Sequence, residues 1–418
     1  MDGSPTVRAL VLERDLPRFG AARLTSALAG SGARVAPLRL ADIDEPTVPR
    51  PDWVKVSPRL SGICGSDLAT IAGRSSRWFE PVVSFPFTPG HEVVATDSEG
   101  RRVVVEPVLG CVARGVDPIC PACADGRLGN CGNLTHGPPD PGLQSGFCCD
   151  AGGGWAATMT AHPSQLHEVP DELDDTAAVL IEPTACAVHA ALAAGVGPDE
   201  TVALIGAGTL GQMTAAALAR WSPPRRLIIA AKYDHQRRAV RAVSSPGPAL
   251  ACCSPDALIR EVRRQVRTGV IDPSGAHERL TQGVDVTIDC VGSADSLASA
   301  LAVHTPGGRV VLVGMPSLAL LDLTPLWQRE ITLIGAYTYG VETLDGHRYR
   351  TFDLAAELVA AADLGSMVSA IYPLERHVDA LDHAAAAGRR GATKIAFTLG
   401  GSDVDADHPA PRTLRARR

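Results

Sequence analysis

The stretch LIGAGTLGQMTAAALARW, residues 204–221, reads as the end of an apolar strand, a glycine turn and the opening of a helix. Gly206, Gly208 and Gly211, with Thr209 and Leu210 between the last two, form GxGxxG in the strand-turn-helix setting that gives the pattern its meaning. The first glycine permits the tight turn, the second lets backbone approach a pyrophosphate, and the third lets the helix pack closely on the strand. The helix N-terminus then faces the anion. Outward from this turn, a strand is expected at about 201–205, then others at RLIIAA, VDVTIDCVG, GRVVLVGM and ITLIGAY, with the helical SADSLASALAVH among them. Strands alternating with helices predict a parallel, doubly wound sheet covered on both faces.

An NAD site of this kind ends its second strand with an acid that holds the adenosine ribose. Here the strand runs LIIAAKYDHQRR, and the aligned position is Lys232. A cation there, with His235, Arg237 and Arg238 close behind, suits a 2′-phosphate better than a pair of hydroxyls, so NADP is favoured over NAD. The other reading has Asp234 reach the ribose while the basic residues begin a solvated helix.

The chain has 418 residues, of which 45% are hydrophobic and 20% charged, enough for more than one core. Its net charge of −7 argues against a phosphate-backbone partner, so no nucleic acid is expected. The N-terminus lacks an apolar segment behind a basic start. No run of about 18 uninterrupted apolar residues occurs, so membrane spanning has no signal and the expected location is cytoplasmic. In that compartment closely spaced thiols are metal ligands or catalytic groups more often than disulfides. Composition divides the chain into a β-rich part over 1–188, a nucleotide-binding part over 189–338, a return segment over 339–400 and a tail over 401–418 expected to be disordered.

Two clusters carry metal-ligand chemistry. SGICGSDLAT places Cys64 and Ser66 in a glycine-flanked turn, TPGHEVVA places His91 and Glu92 at the start of a strand, and VLIEPTACAVHA adds Glu182. A thiolate, an imidazole and a carboxylate make a workable zinc set with one coordination position left open. Taken singly, each is an ordinary core or surface residue.

From about Val54 to Leu399, the blocks GICGSD, PGHE, CPAC, GGGW, IEPTACAVHA, GAGTLG, DCVGS and PGGRVVLVGMP stand in the order that resembles the zinc-dependent medium-chain dehydrogenases. The resemblance implies a GroES-like β-rich catalytic domain interrupted by a Rossmann domain, and a homodimer or homotetramer paired through an edge near ITLIGAYTY. It also implies that Cys64, His91 and Glu182 hold a catalytic zinc, that Glu92 approaches or joins the metal, and that Ser66 accepts the proton of a small alcohol substrate. The zinc would lower the pKa of the alcohol oxygen as hydride passes to nicotinamide. Ala69 stands where many relatives carry a histidine, which leaves the proton's onward route unassigned.

The remaining cluster is CPACADGRLGNC, in which Cys120, Cys123 and Cys131 match the last three ligands of the family's structural zinc lobe. Asp117 occupies the usual place of the first, and Cys111 lies upstream in LGCVARGVDPIC. Cys111 is the favoured fourth ligand because four thiolates are the commoner closed set. A redox-active CxxC is the other reading, without the thioredoxin-like βαβ context it needs. The expected activity is a zinc- and NADP-dependent alcohol dehydrogenase or ketone reductase acting on a polar secondary alcohol. The alternative is a redox-neutral step on the same fold. A zinc-free enoyl reductase and a structural role both fit poorly with retained metal-ligand residues.

Overall fold

The computed structural model describes residues 5–28, 30–244, 247–272 and 278–399; the tail over 401–418 lies outside the described residues. The β-rich first part comprises β1 (Thr6–Leu12), α1 (Leu16–Leu28), β2 (Leu38–Asp44), β3 (Val54–Gly62), α2 (Gly65–Ile71), β4 (Val93–Thr96), β5 (Arg102–Val105), α3 (Pro121–Ala124), β6 (Met159–Ala161), β7 (Leu166–Glu168) and α4 (Asp175–Ala178). The middle runs α5 (Ile181–Ala193), β8 (Thr201–Ile205), α6 (Thr209–Trp221), β9 (Arg226–Ala230), α7 (Asp234–Val243), β10 (Ala249–Cys253), α8 (Leu258–Val266), β11 (Val270–Ile271), β12 (Arg279–Leu280), β13 (Val284–Asp289), α9 (Ala294–Ala302), β14 (His304–Leu312), α10 (Thr324–Gln328) and β15 (Thr332–Gly335). The return comprises β16 (Val341–Leu344), β17 (His347–Arg350), α11 (Thr351–Ala361), β18 (Val368–Pro373), α12 (His377–Ala385) and β19 (Lys394–Thr398).

The middle forms a six-stranded sheet in the order β10-β9-β8-β13-β14-β15, and each of its pairings is parallel. This is the doubly wound order that puts a crevice at the C-terminal ends of β8 and β13. Its central strand TVALI is buried at every position, as a strand with helices on both faces must be. One core cluster carries Leu204, Val286 and Val311 against Val188, Met213 and Leu358. The opposite face packs Ile205, Ile228 and Val310 against Val262 and Leu301.

The second sheet runs β18-β19-β3-β4-β5-β7, and β3 also pairs with β6. It joins the start of the chain to its return, because β19 lies antiparallel to β3 with Ala396 opposite Gly62. That pairing carries Lys394 to the strand that leads into Cys64. Two elements depart from the sequence reading. The first part contains the helix α1, whose Leu16, Leu24 and Leu28 remain exposed, so it lacks the apolar face that would have marked it as a core helix. The return begins with the β16–β17 hairpin, whose alternation is obscured because its residues are largely exposed. Among the described residues no helix is long and apolar enough to cross a membrane.

Candidate metal and cofactor site

Ligand-type atoms of Cys64, His91 and Glu92 lie within 4.8 Å of one another. Backbone geometry brings them together. Cys64 caps the N-terminus of α2, and its own N–H donates to Asp67 Oδ2 at 2.9 Å. The second oxygen of Asp67 stands 3.4 Å from His91 Nδ1 without forming a hydrogen bond, so one buried carboxylate faces both the turn and the imidazole. His91 and Glu92 directly precede β4, and Gly62 at the end of β3 donates its N–H to Glu92 O at 2.8 Å. A Cβ on Gly62 would come within 1.9 Å of Glu92 Oε2, so only glycine leaves room for that carboxylate.

Glu182, buried near the start of α5, stands outside this close group and accepts a hydrogen bond from Tyr339 Oη at 2.8 Å. Glu92 forms a fully buried ion pair with Lys394. Burial alone would lower the Lys394 pKa, but Glu92 and Cys64 outweigh it and hold the ammonium above its ordinary value. Burial raises the Glu182 carboxyl to about 7, with the negative charge of Glu92 adding to the effect while His91 opposes it. At His91 burial disfavours the charged ring, and Asp67 with Cys64 overrides this so that its pKa is held well above the usual range. Carboxylates and a thiol thus outnumber the two buried bases. This donor set of soft sulfur, imidazole and carboxylate, with an excess of anionic groups, fits a zinc ion. Ser66 lies half-buried two residues after Cys64, and a cleft of about 390 Å³ opens beside Gly65 and Leu68, lined also by Arg74 and Arg389.

The second cluster gathers Cys111, Cys120, Cys123 and Cys131 within the same 4.8 Å limit, and Asp117 is not a member. Cys111 Sγ lies 3.6 Å from Cys131 Sγ, which in turn lies 4.0 Å from Cys120 Sγ. A tetrahedron with metal–sulfur bonds of about 2.3 Å has edges of about 3.8 Å, so these separations fit a four-thiolate zinc site. The sulfurs accept N–H groups as thiolates do: Cys120 N and Asn133 Nδ2 donate to Cys111, Cys123 N and Gly132 N to Cys120, and Asn133 N to Cys131. The turn that returns Cys111 to the cluster is held by Arg114, only 1% exposed, whose guanidinium donates to the carbonyls of Leu109, Pro139 and Gly142 at 3.0, 2.6 and 2.7 Å.

The glycine turn leads from β8 into α6. Gly206 has φ +93°, and a Cβ on Gly211 would meet Gly206 O at 2.0 Å, so both positions exclude side chains. Thr209 Oγ1 donates to Thr393 O at 3.2 Å, which puts the turn one residue from Lys394, and Leu210 packs on the main core. Lys232 is exposed at the end of β9, with Nζ 5.9 Å from the Tyr233 ring centroid. His235 stacks on the same ring at 5.7 Å, and burial with Arg238 lowers its pKa. Arg237 is engaged elsewhere: it pairs with Asp234 and donates to Ala231 O at 2.6 Å.

Sequence reading missed Lys394, Tyr339 and Arg114. A lysine opening the apolar strand KIAFT was a usable signal for the first; Tyr339 and Arg114 had none. Among the tryptophans, Trp155 is fully buried in the core, whereas Trp78 and Trp327 are 84% and 79% exposed.

Comparison with known proteins gives a consistent family. A model described as "Alcohol dehydrogenase GroES-like domain" matches residues 50–171, and one described as "Zinc-binding dehydrogenase" matches residues 265–360. A sorbitol dehydrogenase of Arabidopsis thaliana is 29% identical over 305 residues, covering 69% of this chain and 74% of the relative. An L-threonine 3-dehydrogenase of Streptomyces coelicolor is 28% identical over 366 residues, covering 86% and 96%. The fold matches a protein assigned as a zinc-binding dehydrogenase from Sinorhizobium meliloti 1021, solved bound to NADP, with TM-score 0.68 and 24% identity over 94% of this chain and 100% of that one. It also matches an alcohol dehydrogenase of Escherichia coli CFT073 complexed with NADH, with TM-score 0.66 and 18% identity over 95% and 100%.

Proposed function

The chain belongs to the zinc-dependent medium-chain dehydrogenases, oxidoreductases of the alcohol and polyol type, and from that premise we propose that it interconverts a polar secondary alcohol and its ketone with NADP(H). The observation that carries this reading is the meeting of half-buried Cys64 with buried His91 and Glu92 beside the return segment, which also touches the glycine turn through Thr393. Cys64, His91 and a carboxylate, Glu92 or Glu182, would hold a catalytic zinc, and Cys111, Cys120, Cys123 and Cys131 a structural one. When bound, the catalytic ion supplies Lewis acidity toward the alcohol oxygen.

The chain's own residues do the rest. Asp67 fixes the Cys64 turn by its hydrogen bond and sets a negative charge 3.4 Å from the His91 ring, on the side where a carboxylate commonly backs a metal-binding imidazole. Lys394 neutralises part of the pocket's negative charge and fixes Glu92. Ser66 would accept the proton of the alcohol hydroxyl and release its own toward solvent, and a nicotinamide held at the glycine turn would supply the hydride-accepting chemistry that balances the two electrons and two hydrogens lost by the alcohol. Gly206, Gly208 and Gly211, with Thr209 and Leu210, seat the pyrophosphate. Lys232, assisted by His235, takes the 2′-phosphate. Arg237 contributes less, since Asp234 already neutralises it.

The edge position of β15, with Leu333 45% exposed and Trp327, Leu318 and Leu320 exposed nearby in sequence, supports a homo-oligomer paired along that strand. Ala69, three residues after Ser66 where many relatives carry a histidine, supports a second reading, a redox-neutral step in which the cofactor is regenerated within each turnover. Nicotinamide absorbance with a panel of secondary alcohols and ketones separates the two. Net NADPH formation or consumption is expected, and substrate turnover with constant absorbance would favour the second.

A further inference from the structure

We infer that Tyr339 is a positioning residue for Glu182, and that the four-cysteine lobe sets where Tyr339 stands. Tyr339 is 2% exposed, its ring lies 5.0 Å edge-on to Phe352, and its hydroxyl donates to Glu182 Oε1. The backbone on either side of it is clamped. On one side, Val341 N donates to Gly126 O at 3.0 Å and Arg348 Nη2 to Asp125 O at 3.0 Å, both acceptors lying two or three residues after Cys123. The approach leaves no room for side chains on the glycines: a Cβ on Gly340 would fall 1.9 Å from Gly126 O, and one on Gly129 would fall 1.7 Å from Thr338 Oγ1. On the other side, Gly340 N donates to Thr351 Oγ1 at 3.0 Å, and Glu342 accepts from Thr351 and pairs with His189 at 2.7 Å. His189 and Glu182 lie on the same helix α5, so the segment over 337–342 grips that helix at two heights while the lobe braces the segment from behind.

The cysteine lobe therefore does more than close its own loop. It holds, through one tight backbone contact, the tyrosine that fixes one carboxylate of the candidate metal pocket. The link from Glu182 to a metal rests on the function proposed above; the link from the lobe to Glu182 does not.

The test compares Tyr339→Phe and Gly340→Ala with wild type in the purified full chain. Tyr339→Phe removes only the donor. Gly340→Ala forces the lobe and the segment apart while every cysteine remains. Two quantities are read: affinity for zinc at the second site by chelator competition, and alkylation of Cys186, whose Sγ lies 4.0 Å from Glu182 Oε1, by peptide mass spectrometry. Both variants should stay folded and retain the lobe zinc, yet hold the second zinc about 10- to 100-fold more weakly, the range typical for loss of a partner behind a ligand. Cys186 should alkylate roughly five- to tenfold faster, the factor that one lost hydrogen bond permits. Tyr339→Phe within about twofold of wild type on both readouts overturns the positioning role. A shift in Tyr339→Phe without one in Gly340→Ala overturns the bracing by the lobe. If wild type binds a single zinc, the functional reading fails, and the Cys186 rates alone decide the inference.

Discussion

His304 lies at the start of β14 with no exposed surface, neither ring nitrogen has a hydrogen-bond partner, and a Cβ on Gly308 would come within 2.6 Å of its Nδ1. Burial pushes its pKa from 6.5 down to about 3; the nearby backbone of Val284 opposes the shift, and the guanidinium groups of Arg329 and Arg309 add to it. The imidazole is neutral in the fold, whereas the unfolded chain takes up its proton below about 6.5. Stability from this group is therefore complete above neutral pH and is lost as the solution is acidified from about 6.5 toward about 3. At pH 5 the unfolded state gains about 1.5 pH units of protonation that the fold refuses, a loss of about 2 kcal/mol relative to pH 7. Replacing His304 by Leu, an apolar side chain of similar size, removes both the titration and the unpaired ring nitrogens. Urea unfolding of wild type and His304→Leu at pH 7 and pH 5 isolates the effect, because all other ionisations cancel in the difference. The variant should lose about 2 kcal/mol less than wild type between the two pH values. Equal losses in both proteins would refute the argument that His304 is held neutral by burial.

Two further outcomes follow from the site. Arg114→Met leaves three buried carbonyls without their donor, at about 1–3 kcal/mol each before relaxation; a net loss of about 3 kcal/mol should lower the thermal midpoint by roughly 6–12 °C, and a shift within the error of the scan would show that the loop is held otherwise. Lys232→Asp substitutes a ribose-hydroxyl acceptor for the cation, so the ratio of kcat/KM for NADPH over NADH should fall at least about tenfold; an unchanged ratio would remove Lys232 from cofactor choice.

What the sequence disclosed and what it hid divide along physical lines. The strands TVALI and RLIIA were readable because burial on both faces leaves continuous apolar runs, VDVTID because its β-branched residues alternate with polar ones, and the glycine turn because Gly206 and Gly211 occupy places where no side chain fits. Cys111 could be weighed against Asp117 because thiols are rare and their chemistry is narrow. Glu182 shows the limit of such reasoning. Its identity and burial suit a ligand, yet whether it or Glu92 stands nearer to Cys64 and His91 depends on Tyr339 and Lys394, which lie 157 residues beyond the former and more than 300 beyond the latter in the chain. The helix α1 was hidden for a different reason: it keeps three leucines in water and turns little more than Phe19 and Ala22 inward, too short a stripe to stand out.

The most direct test of the account is zinc per chain, measured by elemental analysis on protein purified without added metal or chelator, in wild type, Cys64→Ala and Cys111→Ser. Two clusters that each hold one ion predict two zinc in wild type and one in each variant, with the ion left in Cys64→Ala resistant to mild chelation. A single zinc in wild type that is unaffected by Cys64→Ala would leave only the cysteine lobe occupied and contradict the assignment of a zinc-dependent hydride-transfer site to Cys64, His91 and Glu92.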